Sequence, residues 1–377
     1  MRYLYLLILV VMAFCKEKTE KNKSDYFSNL RFSADTVIID PQDEIIYLKH
    51  ALFGADISKD KKYLFNFNAE DNTVEKINLD ELVLEEKLPF DKEGPNGTGA
   101  YIGTVNVQNG NQITFNGINQ TALFSLDGKK LMTVFLENFS LGGHTMKSWE
   151  ELRPNRILDT ASSRLYGLIY SIIDKSLFLG ILHLDEYEIS KMEMKTFENL
   201  PKFIFTFSSP NVISTILPGM GIEKFDTNLI ISNQITNALI LYNTELDTLI
   251  IKSFNSQLTA NEKVKEYQLE HETDESFERE YGRFHQEINF LPPFWDEKNQ
   301  IFYRFSYRET ASENNQDEEA KSKVYLTAFD KELNQIGETF VPKLTKKPAK
   351  HFAKDGKIWI YENINDEMGF VVLTMSK

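Results

Sequence analysis

The residues best suited to chemistry fall in a short stretch of the C-terminal half. His285 and Glu287 follow a Glu-rich segment (residues 259–283), and Arg304 stands in the aromatic run Tyr-Arg-Phe-Ser-Tyr. An imidazole can exchange protons, and a guanidinium offers planar donors to an anionic or polar ligand. A lone arginine in an apolar strand requires a carboxylate or a ligand, so an ion pair with Glu287 or Asp296 is the structural alternative. His285, Glu287 and Arg304 are the first group of ligand-binding candidates.

A second aromatic and cationic group lies earlier, at His144, Trp149 and Arg153. Such side chains could stack on and hydrogen-bond a sugar or a peptide, although packing between strands explains them too. No two of the six histidines have the close spacing of a zinc-binding helix, and no Gly-x-Ser-x-Gly is present. Carboxylates are abundant, but their separation cannot be read from sequence. We therefore predict no metal or cofactor and assign no catalytic residue.

The N-terminus has the features of an export signal. Met1 and Arg2 precede twelve apolar residues (3–14), and the only cysteine, Cys15, follows at once. This length fits a signal-peptide core and falls short of the roughly 20 residues that span a bilayer. The junction resembles the lipobox of bacterial lipoproteins, except that Phe14 stands where a small residue is usual. A plain signal peptide or an uncleaved anchor is the alternative to a lipid on Cys15.

These features divide the chain into three parts. We expect a signal peptide in residues 1–14, the lipidated cysteine with a flexible tether in residues 15–30, and one folded domain in residues 31–377. The segment after Cys15 (KEKTEKNKSD) is polar, as a tether should be. The absence of Asp at position 16 favours the outer membrane.

Composition excludes several classes of protein. The chain of 377 residues has a formal charge of −14 and no dense basic stripe, so nucleic acid is not an expected partner. A single cysteine rules out an intrachain disulfide and a cysteine-rich metal site. The 28 Phe and 16 Tyr favour half-buried β-strands. The domain must therefore be stable through packing alone.

Short apolar or alternating runs separated by turn residues recur along the body, which predicts an all-β repeat fold. The second strand of each of six units is predicted to start near Tyr63, Gln112, Arg164, Asn228, Gln300 and Lys357. About 40–50 residues per four-stranded unit is the spacing of a β-propeller, and insertions lengthen the later units. Candidate innermost strands are residues 101–107, 156–160, 212–217 and 286–290. Because the spacing is uneven, a pair of β-sandwiches is the alternative.

The last unit lacks a strand, which residues 36–40 (TVIID) could supply by pairing beside residues 369–375. Such pairing of the termini would remove an exposed sheet edge. With the exported cysteine, the six units and a GPNGTGAY segment (residues 94–101), the chain resembles the six-bladed β-propeller lipoproteins of unknown function in Gram-negative envelopes. The resemblance implies a propeller and an envelope location, and it implies no activity.

Two functions are compatible with these patterns. The first is a non-enzymatic binding or scaffold lipoprotein that is held on the membrane by its lipid and takes a glycan, a peptide or an envelope protein as its ligand. The second is a hydrolase or lyase acting on polysaccharide, with His285, Glu287 and Arg304 near the propeller channel. A pocket that gathers His285 and Arg304 would favour the enzyme.

Overall fold

The computed structural model describes residues 25–377 apart from 109, 142, 143, 211 and 311–320. Cys15, the predicted signal peptide and most of the predicted tether lie outside the described residues. Strands dominate the described part, in which Asp274–Gln286 (α1) is the single α-helix. No helix in this part is both long and apolar enough to cross a membrane.

The strands form six successive four-stranded antiparallel units, here called sheets I to VI. Sheet I contains β2 (Ala55–Ile57), β3 (Tyr63–Asn68), β4 (Thr73–Asn78) and β5 (Val83–Pro89). Sheet II contains β6 (Thr104–Gln108), β7 (Gln112–Asn116), β8 (Gln120–Ser125) and β9 (Lys130–Phe135). Sheet III contains β12 (Glu150–Asp159), β13 (Arg164–Ser171), β14 (Ser176–His183) and β15 (Glu188–Glu193).

The second half of the chain repeats this arrangement. Sheet IV contains β18 (Met220–Phe225), β19 (Asn228–Asn233), β20 (Leu239–Asn243) and β21 (Thr248–Lys252). Sheet V contains β23 (Asn289–Asp296), β24 (Ile301–Glu309), β25 (Ser322–Phe329) and β26 (Gln335–Phe340). Sheet VI contains β27 (His351–Lys354), β28 (Lys357–Ile364), β29 (Glu367–Ser376) and the N-terminal strand β1 (Arg31–Ile38).

Smaller elements connect the sheets. β10 (Ser140–Leu141) and β11 (His144–Thr145) extend sheet III, and β16 (Phe205–Ser209), β17 (Val212–Ile216) and β22 (Glu270–His271) form a separate three-stranded sheet. Short 3-10 helices lie at Lys49–Leu52, Leu136–Asn138, Lys195–Phe197 and Leu200–Phe203.

Burial falls from the middle of each sheet to its last strand. The second strands, such as β13 (RLYGLIYS), are buried on both faces, whereas the fourth strands, such as β21 (TLIIK), are largely exposed. Strands covered on both faces read as continuous apolar runs, and these runs made the second strands visible in the sequence. Their predicted starts agree with the structure to within one residue.

The two ends of the chain pair with each other. β1 is antiparallel to β29, with Thr36 opposite Val371 and Ile38 opposite Gly369. The predicted pairing of the termini is thus confirmed, although the N-terminal strand begins at Arg31, before the predicted residue 36.

Residues 25–30, which the sequence analysis assigned to the tether, pack on the folded domain instead. The Phe27 side chain is buried, and the Tyr26 backbone N–H donates to the Ile336 carbonyl of β26 at 3.0 Å. The Tyr26 hydroxyl lies 2.9 Å from the Tyr303 hydroxyl. The ordered domain therefore begins no later than Asp25.

Of the four predicted innermost strands, the one at residues 212–217 is wrong and the one at residues 286–290 is displaced. Residues 212–216 form β17, which pairs with β16 outside sheet IV, so the first strand of that sheet is β18. The pairing of Phe205 opposite Ile216 explains the apolar pattern of this hairpin. In sheet V, Gln286 ends α1, and the first strand begins only at Asn289.

The first strands of sheets I to VI contact one another in succession, and Lys350, directly before β27, contacts Ala55 of β2. Sheet I contacts sheet II through Asp56 and Val107, and sheet II contacts sheet III through Thr104 and Pro154. Sheet III contacts sheet IV through Asp159 and Lys224, and sheet IV contacts sheet V through Gly221 and Pro292. Sheet V contacts sheet VI through Phe294 and His351, and sheet VI contacts sheet I through Lys350 and Ala55. From sheet I to sheet VI, each pair of neighbours is therefore in contact through its innermost strands.

Helix α1 begins within the Glu-rich segment of residues 259–283 and ends at Gln286. The Thr273 hydroxyl accepts from the Ser276 backbone N–H at the start of α1, as an N-cap residue does. Phe277, Tyr281 and Phe284 lie on one side of the helix and contact the Phe205 ring. The spacing of these three aromatic residues turns one face of the helix toward the protein, while Asp274, Glu275 and Glu278 stay in solvent.

Candidate functional site

Arg304 is buried and bound to backbone and amide oxygens. Arg304 is only 1% exposed, and its Nε donates to the Leu291 carbonyl at 2.8 Å. Nη1 donates to Asn237 Oδ1 at 3.2 Å, and Nη2 donates to the carbonyls of Asn233 and Thr236 at 3.4 and 3.3 Å. The ion pair with Glu287 or Asp296 is not formed. Arg304 therefore holds the turn between β19 and β20 and is not available to a ligand.

Arg156 does the same between sheets II and III. Its Nη2 donates to the Gly117 and Ile118 carbonyls at 2.8 and 3.1 Å, and its Nη1 donates to the Gln120 carbonyl at 3.0 Å. Each of these two buried arginines thus binds the turn between the second and third strands of the preceding sheet. Sequence reasoning missed Arg156, because its acceptors are backbone carbonyls that any residue provides.

His285 lies near the end of α1, directly before residues 286–290, which were predicted to form an innermost strand. Its Nδ1 is 3.2 Å from the Tyr307 hydroxyl and 3.7 Å from Glu309 Oε1. Burial, with nearby Lys347 and Lys263, lowers the pKa of His285 to about 3, so its imidazole is neutral at physiological pH. Tyr307 and Arg304 point to opposite faces of β24 by strand alternation. The structure therefore separates His285 from Arg304.

Glu287 follows α1 and fastens the loop that precedes the helix. Its carboxylate accepts from the backbone N–H groups of Val264 and Lys265, each at 3.2 Å, and from the Tyr267 hydroxyl. Beside it, the buried Lys263 Nζ donates to the Phe284 carbonyl at 2.6 Å. Glu287 is thus occupied by the protein's own donors.

Lys263 caps the helix end, and sequence reasoning did not identify it. Its Nζ also donates to Asn289 Oδ1 at 2.8 Å and lies 3.9 Å from the centre of the Phe284 ring. Burial lowers the pKa of Lys263 to about 7, against the opposing effect of Glu287 and Glu309. A lysine at the C-terminal end of a helix complements the carbonyls left unpaired there.

The second predicted group belongs to sheet III. His144 lies in β11, and its side chain is outside the described part of the chain. The Trp149 carbonyl accepts from the Ile172 backbone N–H at 2.9 Å, and the Arg153 guanidinium pairs with Glu151 at 3.1 Å. No described hydrogen bond or ion pair links Trp149 or Arg153 to His285. The two predicted groups do not form one site.

Four other charged residues from distant parts of the chain act on one another electrostatically. Asp56 lies on β2, Lys61 in the turn after it, Glu223 on β18 and Lys350 directly before β27. Glu223 belongs to sheet IV, yet the charges that act on it are Lys350, Asp56 and Lys61, from sheets VI and I. These residues are called the four-charge cluster below.

Two members of the four-charge cluster have partners and two do not. The Asp56 carboxylate accepts from the Val107 backbone N–H at 2.8 Å, and Lys350 Nζ donates to the Ala55 carbonyl at 2.7 Å. The side chains of Glu223 and Lys61 make no hydrogen bond or direct ion pair with any described residue. The Glu223 side chain is accessible to solvent and Lys61 is half-buried, although the protein atoms around both groups still displace part of their water. This is the arrangement expected of groups that face a ligand or water.

The surroundings of the cluster disfavour charge. Burial raises the pKa of Glu223 to about 7, and Asp56 raises it further while Lys350 and Lys61 oppose the shift. Burial also lowers the pKa of Lys61, against Asp56 and Glu223. Within the described residues, no three His, Cys, Asp or Glu side chains are grouped so that they could hold a metal ion. The cluster therefore offers mixed charge to a ligand.

Comparison with known structures shows the fold. A member of the DUF4221 family from Bacteroides vulgatus ATCC 8482 aligns with a TM-score of 0.67 at 13% identity, over 94% of this chain and 99% of that one. A protein described as exported, from Bacteroides fragilis NCTC 9343, aligns with a TM-score of 0.46 at 10% identity, over 94% and 97%. An oligogalacturonate lyase in complex with manganese aligns with a TM-score of 0.43 at 9% identity, over 92% and 97%.

Sequence comparison gives the family. No curated protein matches the chain. The model of a domain of unknown function, DUF4221, matches residues 27–340, which is most of the folded domain. The chain belongs to the DUF4221 family, whose function is unknown.

Proposed function

We propose that sheets I to VI are the blades of a closed six-bladed β-propeller. The support is the succession of contacts between innermost strands, which returns from sheet VI to sheet I through Lys350 and Ala55. The pairing of β1 with β29 completes the last sheet. In a ring of six, sheet IV stands opposite sheet I. The electrostatic effect of Asp56 and Lys61 on Glu223 is consistent with three side chains that face one central channel.

We further propose that the protein is an outer-membrane lipoprotein anchored through Cys15. The sequence supports this by the position of its only cysteine after an apolar run. The tether then consists of residues 15–24, because the domain packs from Asp25 onward. Ten residues reach at most about 35 Å, so the anchor would keep the domain close to the bilayer.

Mass spectrometry of the protein from membranes of the producing bacterium tests the anchor. We expect a mature N-terminus at Cys15 with the mass of an added diacylglycerol, and recovery of the protein in the detergent phase. Cys15→Ala should move the protein out of that phase, because several acyl chains hold a protein firmly whereas the polar domain does not. An unmodified Cys15 in the wild-type protein would show that the anchor is wrong.

We propose that this lipoprotein binds a ligand and catalyses no reaction. The observation that carries the proposal is the four-charge cluster, in which Glu223 and Lys61 lack partners. An enzyme built on His285, Glu287 and Arg304 is not supported, because Arg304 and Glu287 are occupied by internal hydrogen bonds. A glycan, a peptide and an envelope protein all remain within this proposal.

Retention of small molecules tests the binding function. The full-length protein in detergent is equilibrated with a small-molecule extract of the producing cells, passed through a gel-filtration column and denatured for mass spectrometry. We expect the wild-type protein to retain a polar compound that Glu223→Gln and Lys61→Gln lose at least tenfold, which corresponds to about 1.4 kcal/mol of binding free energy.

Matched controls distinguish the site from general charge. Lys59, in the same turn as Lys61, and Glu245, in the last turn of sheet IV, are exposed. Lys59→Gln and Glu245→Gln should retain the compound as the wild type does. Equal retention by all five proteins, or no retained compound, would mean that the four-charge cluster is not the binding site.

A further inference from the structure

We propose that the domain rests on the phospholipid bilayer through an apolar groove between sheets IV and V, with Leu246 and Ile250 placed at the level of the lipid headgroups and upper acyl chains. This rests on the proposed lipid anchor, because it states which side of the domain the anchor holds against the membrane.

The groove lies where the last two strands of sheet IV face sheet V, and it is called the IV–V groove below. It has a volume of about 230 Å³ and is lined in part by Ile230, Phe302 and Leu333, which are buried. Two other lining residues are open to solvent, since Leu246 is 71% exposed and Ile250 is 55% exposed. Single exposed apolar side chains need no explanation, whereas several beside an open apolar groove mark a contact surface.

The IV–V groove lies at one end of the two sheets. Leu246 is in the turn between β20 and β21, and Leu333 is in the turn between β25 and β26. Lys331 of the second turn pairs with Asp226, directly after β18, at 3.1 Å. These turns of sheets IV and V are therefore neighbours at the same end of the domain.

The tether joins the domain at this same end. Asp25 Oδ2 accepts from the Glu338 backbone N–H at 3.3 Å, and the Tyr26 N–H donates to the Ile336 carbonyl. Ile336 lies three residues after Leu333, which is at most about 11 Å of chain. A tether of residues 15–24 that starts here and reaches at most about 35 Å holds this end of the domain near the bilayer.

Sheet IV is bound to the strand that receives the tether. Lys252 Nζ at the end of β21 donates to Asn334 Oδ1 at 3.1 Å, and Ser256 Oγ donates to Glu338 Oε2 at 2.6 Å. Asp25 and Ser256 thus both bind Glu338. Because the groove and the attachment of the tether belong to one packed unit, the position of the anchor determines which way the groove faces.

A bilayer suits this surface better than a second copy of the chain. A stable protein interface uses about 20–30 residues on each side, far more than the exposed apolar side chains of the IV–V groove. A bilayer contact can be small, because a tether makes the contact intramolecular and raises its effective concentration. Lys331 and Glu332, both exposed at the groove, offer charges of both signs to zwitterionic headgroups.

Ile173 is a matched residue at the other end of the domain. It is 66% exposed and lies in the turn between β13 and β14 of sheet III. Asp159 at the end of β12 pairs with Lys224 near the end of β18, so the first strands of sheets III and IV run in the same direction. In an antiparallel sheet the turn between the second and third strands is opposite the turn between the third and fourth. Ile173 should therefore lie away from the bilayer.

Quenching by spin-labelled lipid measures the contact. The full-length protein is purified in detergent from bacterial membranes and reconstituted into phosphatidylcholine and phosphatidylethanolamine vesicles that contain a lipid with a nitroxide on its upper acyl chain. Because the Cys15 sulfur would carry the lipid, Leu246→Cys and Ile173→Cys each provide one free thiol for a fluorescent label. Surface elements at the interface lie about 5–10 Å into the boundary between headgroups and acyl chains, so we expect the label at residue 246 to lose about half of its fluorescence and the label at residue 173 about a tenth or less.

A second substitution tests whether the groove itself makes the contact. In the protein labelled at residue 246, Ile250→Glu should reduce the quenching about twofold or more, because a carboxylate is unfavourable among acyl chains. Ile173→Glu in the same labelled protein should leave the quenching unchanged. Ile250 and Ile173 are both exposed, so both variants should keep the wild-type melting temperature.

The outcomes separate this inference from the anchor on which it rests, because the mass of Cys15 is measured in the same preparation. If Cys15 carries the lipid but residue 246 is quenched no more than residue 173, the IV–V groove is not the bilayer contact and the anchor stands. If the label at residue 246 is shielded in detergent without vesicles, and more so at higher protein concentration, a second copy of the chain occupies the groove instead. If Cys15 is unmodified, the anchor and this inference both fail.

Discussion

Removal of residues 16–38 is expected to lower the stability of the domain by more than about 4 kcal/mol or to prevent folding, whereas removal of residues 16–24 should leave the melting temperature unchanged. The longer deletion removes β1, which pairs with β29 along eight residues from Arg31 to Ile38. It also removes Phe27, which is buried, and the hydrogen bond of Tyr26 to Tyr303. Each lost hydrogen bond contributes about 1 kcal/mol, and a buried phenylalanine contributes about 2 kcal/mol.

The deletion would also expose the edge of β29. That strand contains Phe370 and Leu373, both fully buried, and an unpaired apolar edge promotes association between chains. Thermal unfolding followed by circular dichroism, with light scattering, measures both effects. Because both deletions retain Cys15, they differ only in the removal of residues 25–38. Equal melting temperatures for the two proteins would show that pairing of the termini does not stabilise the fold.

The positions of the strands could be predicted from the sequence better than the contacts between them. Apolar runs covered on both faces are recognisable at Tyr63 or Arg164, and the missing strand of sheet VI could be inferred from the number of strands. The error at residues 212–217 has a local cause, because a hairpin outside the repeat has the same apolar pattern as an innermost strand. Such alternatives differ in long-range pairing, which a local pattern does not specify.

The candidate site was predictable only in part. His285 lies in a helix, whose aromatic residues Phe277, Tyr281 and Phe284 have helical spacing that is obscured in the sequence by the many charges between them. The four-charge cluster gave no signal, because Glu223 and Asp56 lie far apart in the chain and are ordinary charged residues in sequence. The electrostatic effect of Asp56 on Glu223 depends on how sheets IV and I are arranged, which the sequence does not specify.

Arg304→Lys is expected to destabilise the domain by about 2–4 kcal/mol. A ligand-binding role for Arg304 would instead predict a nearly unchanged stability. The guanidinium makes four hydrogen bonds in fixed directions, to the carbonyls of Asn233, Thr236 and Leu291 and to Asn237 Oδ1. An ammonium group is a compact charge on a flexible stem and cannot reach acceptors spread over two sheets. Buried acceptors left without a donor cost about 1–3 kcal/mol each, and a buried charge with fewer partners adds to this.

Urea unfolding of the full-length protein measures the effect, and Arg308→Lys is the matched control on the same strand. Arg308 is exposed, so its replacement should change the free energy of unfolding by less than about 0.5 kcal/mol. Arg156→Lys should resemble Arg304→Lys, because Arg156 is bound to carbonyls in the same way. The folded Arg304→Lys protein should retain the extract compound as the wild type does, since Arg304 is not part of the four-charge cluster. A variant as stable as the wild type would mean that the carbonyls around Arg304 find other donors and that the guanidinium is not what holds the turn after β19.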